Sequence, residues 1–528
     1  MKEKRAALGI SILLLVLTGV LIWRDCGREL TMDSRLLTRQ EQQECMETLR
    51  MTEEDILEEL IFAGVSLPCD RESGTFYLPV NMELTEWESG SFVSGQRDVG
   101  VYLLDNPLKD EKKTAVREGK PYRLLAVHGD VCREYAVVFT GLPILSIETD
   151  QEIRYEEVYG SMRLLLSDTK EDWVFESLMS GHIRGGSSRL NPKKSYKMTL
   201  YKQNQVGSGT LRKNQVSLLN MRKDDEWLLY AIYSEDTKLR DKLSLDIWNE
   251  SGALCIESKG HYGYHMEYIE VFQNGEYRGL YGLMEPVDYK QLDLTREGEA
   301  QPEDFLYKQK DADIFELKGN HSAEDEAHFE VLNRYLALLN ADNATFVREI
   351  PKLIDVDSAL EVWIYLQAVL GMDNIERNIF YPARFEEGQY RLYFMPWDMD
   401  YSWGNVHDFD ALNRSRFSEE IWTMRIAWRL GDRLVELDVE GAREKIAKRW
   451  KDLRESVYSD IYLRSHIRNY AHQIMDSGAF FRDEILWYDS QHSEDFDGLA
   501  DLACERMRFL DRQFTDPLSY LDIEEYVE

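Results

Sequence analysis

The sequence predicts an α+β protein: a β-rich first half, then a helical second half, with an apolar segment and a small β-sandwich ahead of both. Three observations carry this reading. From about Val65 to Thr149, short runs rich in β-branched and aromatic residues alternate with turn clusters, the pattern of strands joined by tight turns. Tyr264 to Phe272 and Tyr277 to Met284 flank Asn274-Gly275, a pair that favours the two-residue turn of a hairpin. Beyond Glu285-Pro286 the apolar spacing becomes that of helices, as in Asp357 to Gly371 and Trp422 to Gln473.

The chain has 528 residues, enough for two or three domains, and its 12 Trp, 29 Tyr and 20 Phe supply real cores. The formal net charge of −34 argues against nucleic-acid binding, which needs a basic surface. It suits solubility or a cationic partner. Six cysteines are scattered without a Cys-x-x-Cys pair, which excludes a zinc ribbon or a redox pair and leaves disulfides and buried thiols both open.

In chain order, Met1 to Arg5 is short and basic, and Ala6 to Trp23 carries no charge over 18 residues. That is just enough to span a bilayer. A signal peptide is the competing reading, but no small-x-small cleavage site follows Trp23. The expectation is an uncleaved single-pass anchor over residues 1–24, with the bulk of the protein extracytoplasmic. Residues 25–63 read as a juxtamembrane helical segment. Residues 64–150 read as the β-sandwich, with strands at Thr75 to Val80, Val101 to Leu104 and Tyr135 to Thr140.

Residues 151–286 form the β-rich lobe. After a strand at Ser161 to Leu166 comes Arg184-Gly185-Gly186-Ser187-Ser188, a loop able to bring amides and hydroxyls close to a phosphate. In the following strand Tyr196, Met198 and Leu200 share one face and Lys197 takes the other. From there Lys197 can reach a nucleotide phosphate; a flexible turn and a surface lysine is the plainer alternative. Asp236 to Asn249 reads as a helix through Leu239, Leu243 and Ile247.

Residues 287–528 form the helical lobe and hold the strongest chemical signal. Asp373 and Asn378 stand in the Asp-x4-Asn spacing of a kinase catalytic loop. Ile379 to Phe385 and Tyr390 to Trp397 read as a hairpin turning at Glu386 to Gln389. Pro382 weakens the first strand or makes it an edge. The hairpin should bring Asn378 beside Asp398, and Asp398 and Asp400 share a face if the segment is extended. Converging carboxylates repel unless a cation joins them. An all-oxygen set of Asp and Asn suits Mg2+ or Mn2+, the arrangement phosphoryl transfer uses.

Four motifs in order now resemble a known family, the spore-coat CotH kinases. They are Ile183 to Ser188 with Pro192 to Lys197; Asp224 to Leu229 with Leu239 to Leu243; Tyr277 to Glu285; and Pro396 to Asp400. The resemblance covers about Ser161 to Gly404. It implies an atypical, bilobal protein-kinase-like fold that binds ATP and a divalent metal and phosphorylates serines of coat proteins. On it, Asp373 is the catalytic-loop acid, and Asn378, Asp398 and Asp400 are metal ligands. The Arg184 to Ser188 loop covers the phosphates, and Lys197 is the phosphate lysine with Lys193 and Lys194 as competitors. Glu285 lies near the adenine site, and Glu226, Glu235 and Asp241 all stand as acid partner of the lysine. Gly-x-Gly-x-x-Gly, His-Arg-Asp and Asp-Phe-Gly are absent. The expected partners are a coat or cell-surface protein substrate and, through the N-terminal helix, a membrane. The competing functions are a non-catalytic coat or surface interaction protein that keeps the fold, and a metal-dependent phosphohydrolase.

Overall fold

The computed structural model describes residues 31–167, 173–202, 211–252, 263–296, 298, 302–319, 326–406, 417–523 and 525. The chain is mixed α+β. It forms two compact units, each assembled from separated stretches. One holds the described residues up to Gln215 with Tyr268–Tyr281 and His472–Tyr488; the other holds Val216–Glu267, Gly282–Ala471 and the described residues from Asp489 onward.

In the first unit, Cys69–Asp70, Thr75–Pro79, Val131–Thr140, Tyr122–His128 and Val99–Leu103 lie side by side in that order. Arg50–Met51 and Thr75–Pro79 both run parallel to Val131–Thr140. A smaller antiparallel sheet pairs Val65–Ser66, Leu60–Phe62 and Phe92–Ser94. Leu60, Phe62 and Phe92 share one core with Phe76, Leu78, Leu124, Val137 and Phe139. These sheets do not establish the sandwich expected from the sequence, although its strands fall where the apolar runs placed them. Cys45, Cys132 and Cys504 are buried free thiols, and Cys69 is half-buried and free. Burial, with Asp55 and Asp70 nearby, pushes the Cys69 thiol up to about 12.

A second sheet of this unit runs antiparallel through Ile144–Thr149, Val158–Leu165, Val174–Arg184 and Ser195–Tyr201. Glu270 to Gln273 add a parallel neighbour to Ile144–Thr149. The turn after them uses Asn274 at φ 53° and Gly275 at φ 76°, the conformation that Asn-Gly favours. The stretch His472–Tyr488 supplies two buried partners to these strands. Asp483 accepts the Lys193 ammonium at 2.6 Å and the Leu280 N–H at 2.9 Å. Arg482 grips both oxygens of Glu270, each at 2.9 Å.

In the second unit, Ile314–Leu317, Phe305–Asp311, Ile379–Glu386 and Gln389–Leu392 form a sheet, with Met395–Pro396 also paired to Ile379–Glu386. The helix Val356–Val369 is buried along nearly its whole length. Asp355 caps its start by accepting the Ser358 N–H at 2.8 Å, and Leu370 ends it in the left-handed region. Fully buried Arg506 donates to Gln367 O at 2.8 Å and Met424 O at 2.7 Å, which satisfies carbonyls that would otherwise be stranded.

The membrane anchor needs correction. The segment 1–24 lies outside the described residues, and among those residues no helix is long and apolar enough to cross a membrane. The transmembrane assignment, and the single-pass location built on it, are therefore withdrawn.

Lys193 and Asp483 are each 1% exposed in their side chains. Removing one partner of such a buried pair costs about 3–5 kcal/mol, because the other charge is left stranded. Lys193→Ala should lower the urea midpoint accordingly, and Lys193→Met/Asp483→Leu should recover most of the loss. Equal damage from the single and double variants would show that packing, not the stranded charge, sets the stability.

Candidate functional site

The helix Val356–Val369 delivers the site's first residues. After Leu370 and Gly371 the chain makes a single 3-10 turn, Met372–Asn374, which carries Asp373. A Cβ on Gly371 would stand 2.8 Å from Leu366 Cδ2 and 3.3 Å from Met399 Cε. A larger residue there would press on the ends of those two side chains. The Met372 N–H donates to Tyr401 O at 3.0 Å, which ties this turn to the segment after the hairpin.

The hairpin closes as its register demands. Glu386 faces Gln389 across Glu387-Gly388, both at positive φ, and Ile379 faces Pro396. Pro382 sits in a strand paired on both sides rather than at an edge. The Tyr393 N–H still donates to Pro382 O at 2.8 Å, so the proline keeps the one cross-strand bond on that side that needs no N–H of its own. At the open end Trp397 N–H donates to Asn378 O at 2.9 Å. Buried Asn374 bridges the same two residues, donating to Asn378 O at 3.1 Å and Trp397 O at 2.9 Å. Asn378 Nδ2 donates to Asp373 Oδ2 at 2.6 Å, and Arg377 lies 3.4 Å from Asp373 Oδ1.

Asp398 follows Trp397 at φ 61°. The segment is thus not extended, and the shared face expected of Asp398 and Asp400 gives way to a turn. The two acids nevertheless feel each other. Burial, and then the charges of Asp398, Asp241 and Asp373, raise Asp400 well above the ordinary carboxylate range.

Asp241, which the sequence offered only as one partner for a lysine, belongs to this cluster. It opens the helix Arg240–Glu250, and its Oδ1 accepts the Met399 N–H at 2.9 Å. Oδ2 is buried beside the Tyr230 phenol without a hydrogen bond of ordinary geometry. Burial and the charge of Asp398 push its pKa up to about 7. Glu235 is engaged elsewhere, paired with fully buried Arg240 at 2.5 Å. The usable signal for Asp241 was its place in Leu239-Arg240-Asp241-Lys242-Leu243, a charged triplet between two apolar helix positions.

The side chains that converge here are all oxygen donors, which suits a hard divalent cation. Among the described residues, however, no group of three or more His, Cys, Asp or Glu side chains is arranged as metal ligands. The donor chemistry and the stranded oxygen of Asp241 fit such an ion; a finished ligand shell is not formed.

The other expected residues fall as follows. Arg184 ends its strand, Gly185 takes φ 122°, and Ser187–Leu190 form a 3-10 turn that is largely exposed. Gly186 lies at the head of this turn with open space where a Cβ would stand. Lys194 donates to Arg189 O at 2.7 Å and Asn191 O at 2.6 Å, which closes the loop on itself. Half-exposed Lys197 faces His182 in the register, on the side opposite Tyr196, Met198 and Leu200. Glu285 is fully buried. Its carboxylate accepts the Arg222 N–H at 2.7 Å, the His265 N–H at 3.0 Å and His265 Nδ1 at 3.1 Å.

Residues 182–510 match the family model described as CotH kinase protein. The chain belongs to the CotH family. The match takes in the Arg184 to Ser188 loop and every acid of the cluster; the two sheets built before residue 144 lie outside it. The inner spore coat protein H of Bacillus subtilis (strain 168) is 23% identical over 356 residues, 64% of this CotH chain and 86% of that protein.

Glu285 gives this CotH domain a pH signature. The carboxylate raises the pKa of His265, while His265 and the Arg222 N–H outweigh burial and lower that of Glu285. The histidine's contribution is complete below its unfolded value, about 6.5, and fades as pH rises through the raised folded value. The glutamate's contribution holds above about 4.3 and fades as pH falls. Glu285→Gln should therefore lower the melting temperature most near pH 6, with a smaller deficit at pH 9. A deficit independent of pH would leave only the neutral hydrogen bonds as the clamp.

Proposed function

We propose that this CotH protein is an atypical, bilobal kinase that transfers the γ-phosphate of Mg-ATP to Ser or Thr hydroxyls of a coat protein. One observation carries the reading: Asp373 and Asn378 lead into the hairpin whose far end carries Asp398 and Asp400, with Asp241 buried against them. The name of the related inner spore coat protein supports the coat as the setting.

In this reading Asp373 takes the proton of the attacking hydroxyl. A bond forms from that oxygen to the γ-phosphorus, the bond to the bridging oxygen breaks, and ADP leaves with its electron pair. Arg377 and the Asn378 amide hold the Asp373 carboxylate in place. Since Nδ2 of Asn378 is engaged there, its Oδ1 is the atom left to face a cation. Asn378, Asp398 and Asp400 would hold Mg2+ or Mn2+, with Asp241 supporting. When bound, that ion supplies positive charge to the phosphate oxygens. The Arg184 to Ser188 loop, Lys194 and Lys197 are the phosphate contacts, and Glu285 acts as a buried clamp at the adenine end.

The two acids should fail differently. A ligand at a hundred times its dissociation constant stabilises the fold by roughly 2.7 kcal/mol, so wild type should melt higher with Mg-ATP. Asp373→Asn should keep most of that shift and lose phosphate transfer; Asp398→Asn should lose both. The reverse pattern would exchange their roles. A wild type that neither transfers phosphate nor responds to Mg-ATP would favour the non-catalytic coat protein.

A further inference from the structure

The first unit contains an open cleft of about 310 Å3, and none of its lining residues belongs to the acidic cluster. That volume is at the lower end of the roughly 300–1,000 Å3 of small-molecule sites. One wall is a face of the antiparallel sheet. The register sets Ser146 beside Arg163 and Arg163 beside Glu176, with Glu148 beside Ser161 in the next row. Residues two apart in a strand share a face, so these five side chains stand together. Phe272, opposite Ser146 in the parallel neighbour, adds an apolar edge. The other wall is the segment Ser66 to Arg71. Arg163 joins the two walls, donating to Ser66 O at 3.3 Å and to Glu176 at 2.7 Å.

The cleft holds more polar capacity than it uses. Ser146 Oγ is buried without a hydrogen-bond partner, and such an atom costs free energy until something meets it. Among the described residues, the side chains of Arg71, Glu58 and Glu148 have no ion pair or hydrogen bond. The Arg71 N–H donates to Gly275 O at 2.9 Å, and its stem crosses Gly275, where a Cβ would stand 2.6 Å from Arg71 Nε. The guanidinium is thereby held at the cleft. Two arginines face three glutamates in the lining, so neither sign prevails. An anion drawn to Arg71 would be repelled by Glu58 and Glu148, and a bare cation would meet the reverse. A neutral ligand that offers donors and acceptors together suits all of them. Leu67, Pro68 and Phe272 add apolar surface beside these polar groups. A sugar ring has this composition, with hydroxyls round its edge and C–H groups on its faces.

We propose that this cleft is a carbohydrate site for a mono- or disaccharide, with Arg71, Ser146 and Glu148 as its hydrogen-bonding residues. Arg71 donates to ring hydroxyls, Glu148 accepts from them, and Ser146 Oγ gains the partner it lacks. Apart from Phe272 and Gly275 the lining precedes the matched residues 182–510. The assignment therefore does not depend on the kinase reading. The plain alternative is a solvent-filled gap between the two walls.

Cys69 reports on occupancy, since it lines the cleft as a half-buried free thiol. The full chain is treated with N-ethylmaleimide at pH 9, and labelling of the Cys69 peptide is followed by mass spectrometry. Glucose, galactose, mannose and N-acetylglucosamine are added, each free and as its β-1,4-linked dimer. At least one of them should slow labelling of Cys69 severalfold and saturably, with the rates at buried Cys45, Cys132 and Cys504 unchanged. Arg71 and Glu148 are exposed, so Arg71→Gln and Glu148→Gln should keep the wild-type melting temperature. Each should raise the half-protecting sugar concentration roughly tenfold, the scale of one hydrogen bond to a charged group. Protection that survives both variants would put the sugar elsewhere and overturn the assignment. Protection by phosphate or alanylalanine, but by no sugar, would show that the ligand class is wrong. If nothing in the panel protects Cys69, the cleft is a solvent-filled gap.

Discussion

Carboxylates held close together away from water repel one another, and much of the second unit can be understood as the frame that keeps Asp241, Asp398 and Asp400 together regardless. Two of the three are driven toward the protonated form by burial and by each other. Main-chain groups do the holding. Met399 offers its N–H to Asp241, the Trp397 N–H locks the hairpin's end to Asn378, and Tyr401 O takes the Met372 N–H. Asn378, Asp398 and Trp403 all adopt left-handed backbone; Asn and Asp enter it readily, but a side chain as bulky as Trp403 does so only when its surroundings impose it. Such strain clusters where a geometry must be kept that the chain would not choose.

The helix that carries Asp241 is fastened just as firmly. Arg240 is fully buried and lies against Glu235 and Asp236. Its neighbour in sequence thus faces the acidic cluster from a fixed point. Tyr365, on the long buried helix that leads to Asp373, donates to Ser244 O at 2.9 Å in that same helix. Two helices far apart in sequence are in this way referenced to one another, and each delivers one acid.

What the sequence revealed divides along physical lines. Turn chemistry was legible: Asn274-Gly275 and the hairpin from Ile379 to Trp397 appear where residue types demand them. The long buried helix was legible from its apolar length. The strand Val174–Arg184 was not, because buried Ser177 and Ser180 break the apolar alternation; Tyr201 O and Glu157 satisfy their hydroxyls. The hairpin of Phe305–Asp311 and Ile314–Leu317 was hidden by its polar residues, Lys308 to Asp311 among them. Pro382 misled because its carbonyl still takes the Tyr393 N–H, so it forfeits only the bond its own missing N–H would make. In the site, Asp373, Asn378 and Asp398 announced themselves through local spacing. Asp241 did not, since its partner Met399 lies 158 positions away.

The same distance effect has a consequence for how the molecule is made. Lys193 and Glu270 wait for Asp483 and Arg482, which leave the ribosome 290 and 212 positions later. Domains generally assemble in the order of synthesis, but this one cannot. Until nearly the whole polypeptide has emerged, Lys193 and Glu270 can meet Leu280 O and the Thr140 and Tyr277 hydroxyls but not the opposite charges that neutralise them. The last buried charge pairs of the N-terminal part therefore close only after the later part is made. A chain broken off before His472 would lack the opposite charges for both buried groups.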